Sequence, residues 1–255
     1  MNKIDVCVLK LKDYFKNMES TSSEIPIPKE IGLYNDKWLY FIMYSCLLNY
    51  GMNSKRYNMN ILNTYRDYEW MFNPNEVVRH NEEEILKIVR ESIHHRYPNI
   101  ATKKWINLSR KLNEICNLVD IVKNSNSYIK LYEFILDIGG YGQKTGGLLL
   151  RIIYESGICK YEDSLPIIPL DRHDLEISYL CGIIDKKKLN AKEIYELSRL
   201  WIETSLKYDI DASMIDQYLW HIGAELCNKK KCLECPLYSE CKSIIKENDI
   251  WKKNY

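Results

Sequence analysis

The chain has 255 residues, 46% of them apolar and 28% charged, which excludes fibrous, collagen-like and disordered classes and leaves one or two globular domains. With 36 Lys plus Arg against 35 Asp plus Glu, the net charge of +1 neither demands nor forbids a nucleic-acid partner, so local charge has to decide. The longest apolar run, Trp38 to Leu48, is broken only by Ser45 and falls far short of the ~20 residues that cross a bilayer. No membrane partner is expected. Asp5, Lys10 and Lys12 interrupt the N-terminus, which therefore lacks the apolar core of a secretory signal, and a cytoplasmic protein is expected.

Helical periodicity dominates the chain. The run from Trp38 to Leu48, apolar nearly all round, predicts a central helix. Ile85, Ile88, Val89 and Ile93 form one apolar stripe, and Trp105, Leu108, Leu112, Ile115 and Val119 repeat at spacings of three and four as a buried helix face does. Between these stripes lie His94, His95, Arg96, Tyr97 and Pro98, followed by Lys103 and Lys104. Aromatic and Arg side chains of this kind stack on bases, while a helix that stops before a proline accounts for the same residues. Further helices are predicted at about 128 to 138, 143 to 156, 172 to 183, 191 to 206 and 212 to 226, with Asn190 and Asp211 at N-cap positions of the last two. No period-two alternation, hairpin signal or internal repeat is found, so the fold class is all-α. Pro26 and Pro28, then Pro166 and Pro169, mark candidate boundaries.

Two short segments carry the chemistry. Gly139, Gly140, Gly142, Gly146 and Gly147 are five of only ten glycines in the chain, and they bracket Tyr141, Gln143, Lys144 and Thr145 between two predicted helices. Glycines at such a turn supply positive φ and C-cap a helix. The backbone amides of Gly140, Gly142 and Gln143 would also point outward at the start of the next helix, where phosphate is favoured. Lys144 stands in the first turn of that helix, where a lysine is ordinarily a surface residue and where the macrodipole disfavours an ammonium. Asp171, three residues before Asp174, reads as a helix N-cap, a position that keeps a carboxylate ionised. His173, two residues later, reads as a hydrogen-bonding residue.

The second segment is a cysteine cluster. Of nine cysteines, Cys227, Cys232, Cys235 and Cys241 crowd into a C-x4-C-x2-C-x5-C loop, which is a ligand pattern and not a disulfide framework. By spacing alone it suits one tetrahedral zinc or a [4Fe-4S] cluster. From Cys227 to Tyr255 there are seven Lys against four Asp or Glu, and Lys229, Lys230 and Lys231 lie inside the loop, where they could meet phosphate or simply face solvent.

Taken in order, these motifs resemble the helix-hairpin-helix DNA glycosylase superfamily, in its iron-sulfur branch of endonuclease III and MutY type. Gly140, Tyr141, Gly142, Gln143, Lys144 and Thr145 match that family's Gly-hydrophobic-Gly turn with its Lys-Thr pair. Leu170, Asp171, Arg172 and His173 match its hydrophobic-Asp-x-His segment. Gly223 to Cys227 and Cys235, Pro236, Leu237 look like the MutY version of its cluster loop, although the first gap is four residues where the family usually has six. The match runs from about Leu131 to Cys241.

The resemblance implies two helical domains flanking a DNA-binding cleft. Residues 1–36 would pack with the C-terminal domain, 37–160 would form a six-helix barrel with the helix-hairpin-helix, and 161–255 would carry the cluster. It implies Lys144 as catalytic amine and Asp171 as catalytic carboxylate. Gly140, Tyr141, Gly142, Gln143 and Thr145 would hold DNA, and the four cysteines would hold a structural or DNA-positioning [4Fe-4S] cluster. The implied activity is a DNA glycosylase and abasic-site lyase of base excision repair, a monomer acting on duplex DNA with a damaged or modified base, nucleoid-associated if prokaryotic. Adenine removal of the MutY type is not expected, since those relatives generally lack the lysine. A member acting on hypermodified bases, motivated by a lengthened segment between Lys144 and Asp171, and a noncatalytic iron-sulfur DNA-binding module are the alternatives.

Overall fold

The computed structural model describes residues 1–16, 25–159 and 169–242; Pro166 lies outside them. Among the described residues every regular element is helical, and no helix is long and apolar enough to cross a membrane. The chain divides into two compact units, Met1–Ser20 with Leu165–Tyr255, and Thr21–Ser164.

In the first unit, α1 (Lys3–Tyr14) starts at an Asn2–Asp5 capping box and buries Val8 and Leu11. The second unit begins its helical structure with α2 (Asp36–Leu47), capped by Asn35, whose side chain accepts from the Trp38 amide at 2.9 Å. Because α2 is apolar on almost every side, it is buried on almost every side, and its neighbours must supply a matching shell. The other helices of this unit are α3 (Ser54–Asp67), α4 (Pro74–Val77), α5 (Glu82–Glu91), α6 (Pro98–Glu114), α7 (Leu118–Lys123), α8 (Tyr128–Ile138) and α9 (Gln143–Glu155); of these α6, α7 and α9 pack on α2, and Tyr65 of α3 meets Phe41 edge-on. Tyr44 of α2 stacks on Trp105 of α6 with ring centroids 4.5 Å apart, a contact worth about 0.5–1.5 kcal/mol beyond its buried area. Two of the polar edges are satisfied by backbone carbonyls: Trp105 Nε1 donates to Met71 O at 2.8 Å and Tyr57 OH to Ser45 O at 2.8 Å.

The first unit resumes with α10 (Arg172–Leu180), α11 (Ala191–Lys207) and α12 (Ala212–His221), whose last turn widens into a π-turn at Ile222–Cys227. Trp201 and Leu219 are fully buried there, Trp201 Nε1 donates to Ser178 Oγ at 3.0 Å, and Phe15 stacks on Tyr218 at 4.4 Å.

Three predicted boundaries move. The apolar stripe expected to run from Trp105 to Val119 is cut after Glu114, because Asn117 takes a left-handed conformation (φ 56°) and starts α7 on a new axis. The helix expected to reach residue 183 stops at Leu180, ahead of Gly182 at φ 68°. The helix expected to reach residue 226 is α-helical only to His221.

Candidate functional site

The hairpin between α8 and α9 is fixed from four directions. Gly139 (φ 89°) closes α8 by donating to Leu136 O at 3.0 Å, and Gly140 (φ 84°) continues in a conformation that L side chains rarely adopt. A Cβ on Gly140 would also stand 2.9 Å from Leu47 Cδ1. Tyr141 points inward, 8% exposed, and its OH donates to Met43 O in α2 at 2.8 Å; burial raises its phenol well above the usual value. From α6, the Lys104 ammonium donates to Gly140 O at 2.9 Å.

The structure corrects one sequence expectation here. The Gly142 amide does not point outward, because it donates to Thr145 Oγ1 at 3.0 Å, so Thr145 serves as the return half of a helix cap. The amides of Gly140, Tyr141 and Gln143 find no acceptor among the described residues. At Gly142 the conformation is ordinary (φ −106°) and nothing described lies within 4 Å of where a Cβ would stand, so this side of the turn is open to an approaching group. Lys144 is half-buried at the second residue of α9.

Asp171 is the N-cap of α10, as its spacing predicts. Its Oδ1 accepts from the His173 amide at 2.6 Å and the Asp174 amide at 3.4 Å, while Asp174 Oδ2 accepts from the Asp171 amide at 2.5 Å. Asp171 belongs to the first unit and Lys144 to the second. His173 is a packing residue: a Cβ on Gly223 would collide with His173 Cβ and stand 2.7 Å from its Cγ. Gly223 thus lets the π-turn lie directly on α10 just before Cys227.

The cysteine loop is a chain of short turns. Lys231 N donates to Leu226 O at 3.0 Å, Tyr238 N to Cys235 O at 3.0 Å and Cys241 N to Tyr238 O at 3.2 Å. Burial pushes the Cys227 thiol up to about 11, and the neighbouring Cys235, Cys241 and Cys232 thiols add to the shift, so four sulfurs share one neighbourhood. That donor set fits a four-thiolate group. Among the described residues no three or more His, Cys, Asp or Glu side chains stand close enough together to grip an ion. Of the loop lysines, Lys229 pairs with Glu225 and Lys231 with Glu234, so the loop's positive surplus is partly neutralised within it.

The segment after α5 divides by residue. His95 is 4% exposed; its Nδ1 accepts from the Tyr97 amide at 3.1 Å, its ring meets Tyr50 edge-on at 5.0 Å, and burial lowers its pKa. A stacking role for His95 is therefore corrected to a packing role. Tyr97 is exposed, with the Arg96 guanidinium 5.4 Å from its ring centroid. Sequence reasoning missed the contact of Lys104 with the hairpin. The available signal is that Lys104 lies three residues after Ala101 and four before Leu108, at the edge of a buried stripe where a lysine has to find a polar partner.

No known protein-family profile matches the chain, and no curated protein does. Solved structures do match. The chain is similar to endonuclease III trapped as a covalent intermediate with DNA, at 15% identity and a TM-score of 0.68 over 97% of this chain and 99% of that one. It is similar to the 8-oxoguanine DNA glycosylase of Methanocaldococcus jannaschii, at 18% identity and 0.58 over 88% and 87%. A thermostable thymine-DNA glycosylase matches at 15% identity and 0.60 over 96% and 97%. At such identities the likeness establishes the fold, which is that of endonuclease III and the helix-hairpin-helix DNA glycosylases.

Proposed function

We propose that this chain is a DNA glycosylase with abasic-site lyase activity, removing a damaged or modified base flipped from duplex DNA. The observation that carries the reading is Lys144, at the second residue of a helix opened by a glycine hairpin, on a backbone that follows endonuclease III over 97% of the chain. That relative was trapped as a covalent intermediate with DNA, which supports a covalent step in the chemistry proposed for this chain.

In the proposed reaction the Lys144 Nζ attacks C1′ of the sugar. A C–N bond forms as the N-glycosidic bond breaks, and the base leaves with the electron pair and takes up a proton. The sugar ring opens to a Schiff base between C1′ and Lys144. Loss of a proton from C2′ then expels the 3′ phosphate oxygen from C3′, and water later releases the lysine. The Asp171 carboxylate stabilises positive charge on the sugar as the base departs, and its bonds to the His173 and Asp174 amides restrict its rotamer before substrate arrives. Cys227, Cys232, Cys235 and Cys241 would hold a [4Fe-4S] cluster, which would brace the loop and help position DNA. The protein would act as a monomer.

The test is a panel of duplexes carrying oxidised pyrimidines, oxidised purines, mismatches or an abasic site, with base release and strand cleavage scored separately. Wild type is expected to cleave the abasic duplex and to release the base from at least one lesion, and Lys144→Ala to lose cleavage by about 10³-fold while still binding duplex. Cleavage retained in Lys144→Ala would remove the lysine from the mechanism. Duplex binding without any chemistry in wild type would make the chain a DNA-binding module.

A further inference from the structure

Lys104 is a half-buried cation with an unusual setting. Its ammonium lies 4.6 Å from the Tyr50 ring centroid and 2.9 Å from Gly140 O, and no carboxylate among the described residues pairs with it. Burial lowers its pKa. A lysine could reach solvent from this helix by turning away, yet here it reaches 36 residues along the chain to one carbonyl of the hairpin.

That carbonyl matters because it shares a peptide plane with the Tyr141 amide. Gly139 and Gly140 both have positive φ, where glycine has its greatest freedom, and no other hydrogen bond to Gly140 O is present among the described residues. In a trans peptide the C=O and the next N–H point in opposite directions, and no peptide bond among the described residues is cis. Holding Gly140 O toward Lys104 therefore turns the Tyr141 N–H away from it. The Tyr141 amide has no acceptor among the described residues, whereas the next amide, that of Gly142, is occupied by Thr145.

We propose that Lys104 is a positioning residue that aims the Tyr141 amide at a DNA phosphate, making Tyr141 N–H, and not Gly142 N–H, the hairpin donor to the backbone. This rests on the reading of the hairpin as the DNA-holding element. Lys104 acts through the peptide plane and makes no ion pair with phosphate itself. Losing it therefore lowers affinity without lowering the number of phosphates neutralised.

The experiment titrates 15N-labelled full-length protein with an abasic-analogue duplex and measures binding across a salt series for wild type, Lys104→Met and Lys104→Arg. In wild type the Tyr141 amide proton is expected to move strongly downfield on binding while that of Gly142 stays in place, a readout that needs no variant. Lys104→Met is expected to bind about tenfold more weakly, with an unchanged slope of log K against log salt, an attenuated Tyr141 shift and a wild-type melting curve. Lys104→Arg, which keeps a charged donor, is expected to restore most of the affinity. A slope reduced by about one in Lys104→Met would show a direct phosphate contact and overturn the positioning role. An unmoved Tyr141 amide in bound wild type, or full affinity in Lys104→Met, would overturn the proposal while leaving the DNA reading intact. Absence of duplex binding by wild type would overturn both.

Discussion

The hairpin and the cysteine loop are both short, glycine- or cysteine-rich turns that come after a helix, yet they are built on opposite principles. The hairpin is finished by the protein: Tyr141 is anchored to Met43, Gly142 to Thr145 and Gly140 to Lys104, so its backbone is set before any ligand arrives. The cysteine loop is tied mainly by bonds between near neighbours in sequence, and among the described residues its thiols are not gathered closely enough to grip an ion. A turn that must hold a phosphate with neutral amides gains from rigidity, because a flexible donor loses entropy on binding. A turn that grips a metal through thiolates can leave the last of its ordering to the metal, since binding and folding are then one process.

The sharpest way to break this contrast is to test the four-thiolate group that the loop would hold. With a [4Fe-4S] cluster on these cysteines the purified protein is expected to be yellow-brown with broad visible absorption. Chelation should bleach it and strongly lower the thermal stability of the first unit, leaving the melting of the second in place. A colourless protein with one zinc would exchange the cluster for the other four-thiolate reading without changing the contrast.

Gly223→Ala comes next. The added methyl would meet His173 Cβ and Cγ, which cannot swing aside as a chain end can, so a destabilisation of about 3 kcal/mol in chemical denaturation is expected. A change under about 0.5 kcal/mol would show that the π-turn does not depend on that close approach. A pair of hairpin substitutions sharpens the other side. Gly140→Ala is expected to cost about 1–3 kcal/mol because of its positive φ and the Leu47 contact. Gly142→Ala is expected to cost less than about 0.5 kcal/mol, yet to weaken duplex binding, since its methyl would occupy the open side of the turn. Equal stability losses at both positions would contradict the description of the hairpin.

The smallest effect is one of pH. Burial holds the His95 pKa below the ordinary 6.5, so as pH falls the unfolded chain takes up its proton before the folded one does. The stabilisation from neutral His95 is therefore complete above that value and declines as pH drops from it toward the lower folded value. His95→Phe should flatten this limb of the stability curve, and an unchanged curve would assign the limb to another group.

The elements legible in the sequence are those set by residues close together in the chain. The α8–α9 hairpin, the Asp171 cap and the Asn190 cap depend on spacings of a few residues, and each stands where its spacing puts it. The illegible contacts depend on partners far apart. Nothing near Gly223 announces that His173 lies on it, and nothing near Gly140 announces Lys104. The loss of the Gly142 amide to Thr145 is a different case: the Gly-x-x-Thr spacing is plain in the sequence, but a hydroxyl at that position can serve either the cap or the solvent, and only the side-chain rotamer decides.

The most direct test of the central claim is to find where DNA becomes attached. Wild-type protein incubated with an abasic-site duplex and borohydride, then digested and analysed by mass spectrometry, should yield one nucleotide-bearing peptide with the modification on Lys144, and Lys144→Ala should yield none. A modification on Lys104 or any other lysine, or strand cleavage with no adduct at all, would contradict the claim that the hairpin lysine is the nucleophile.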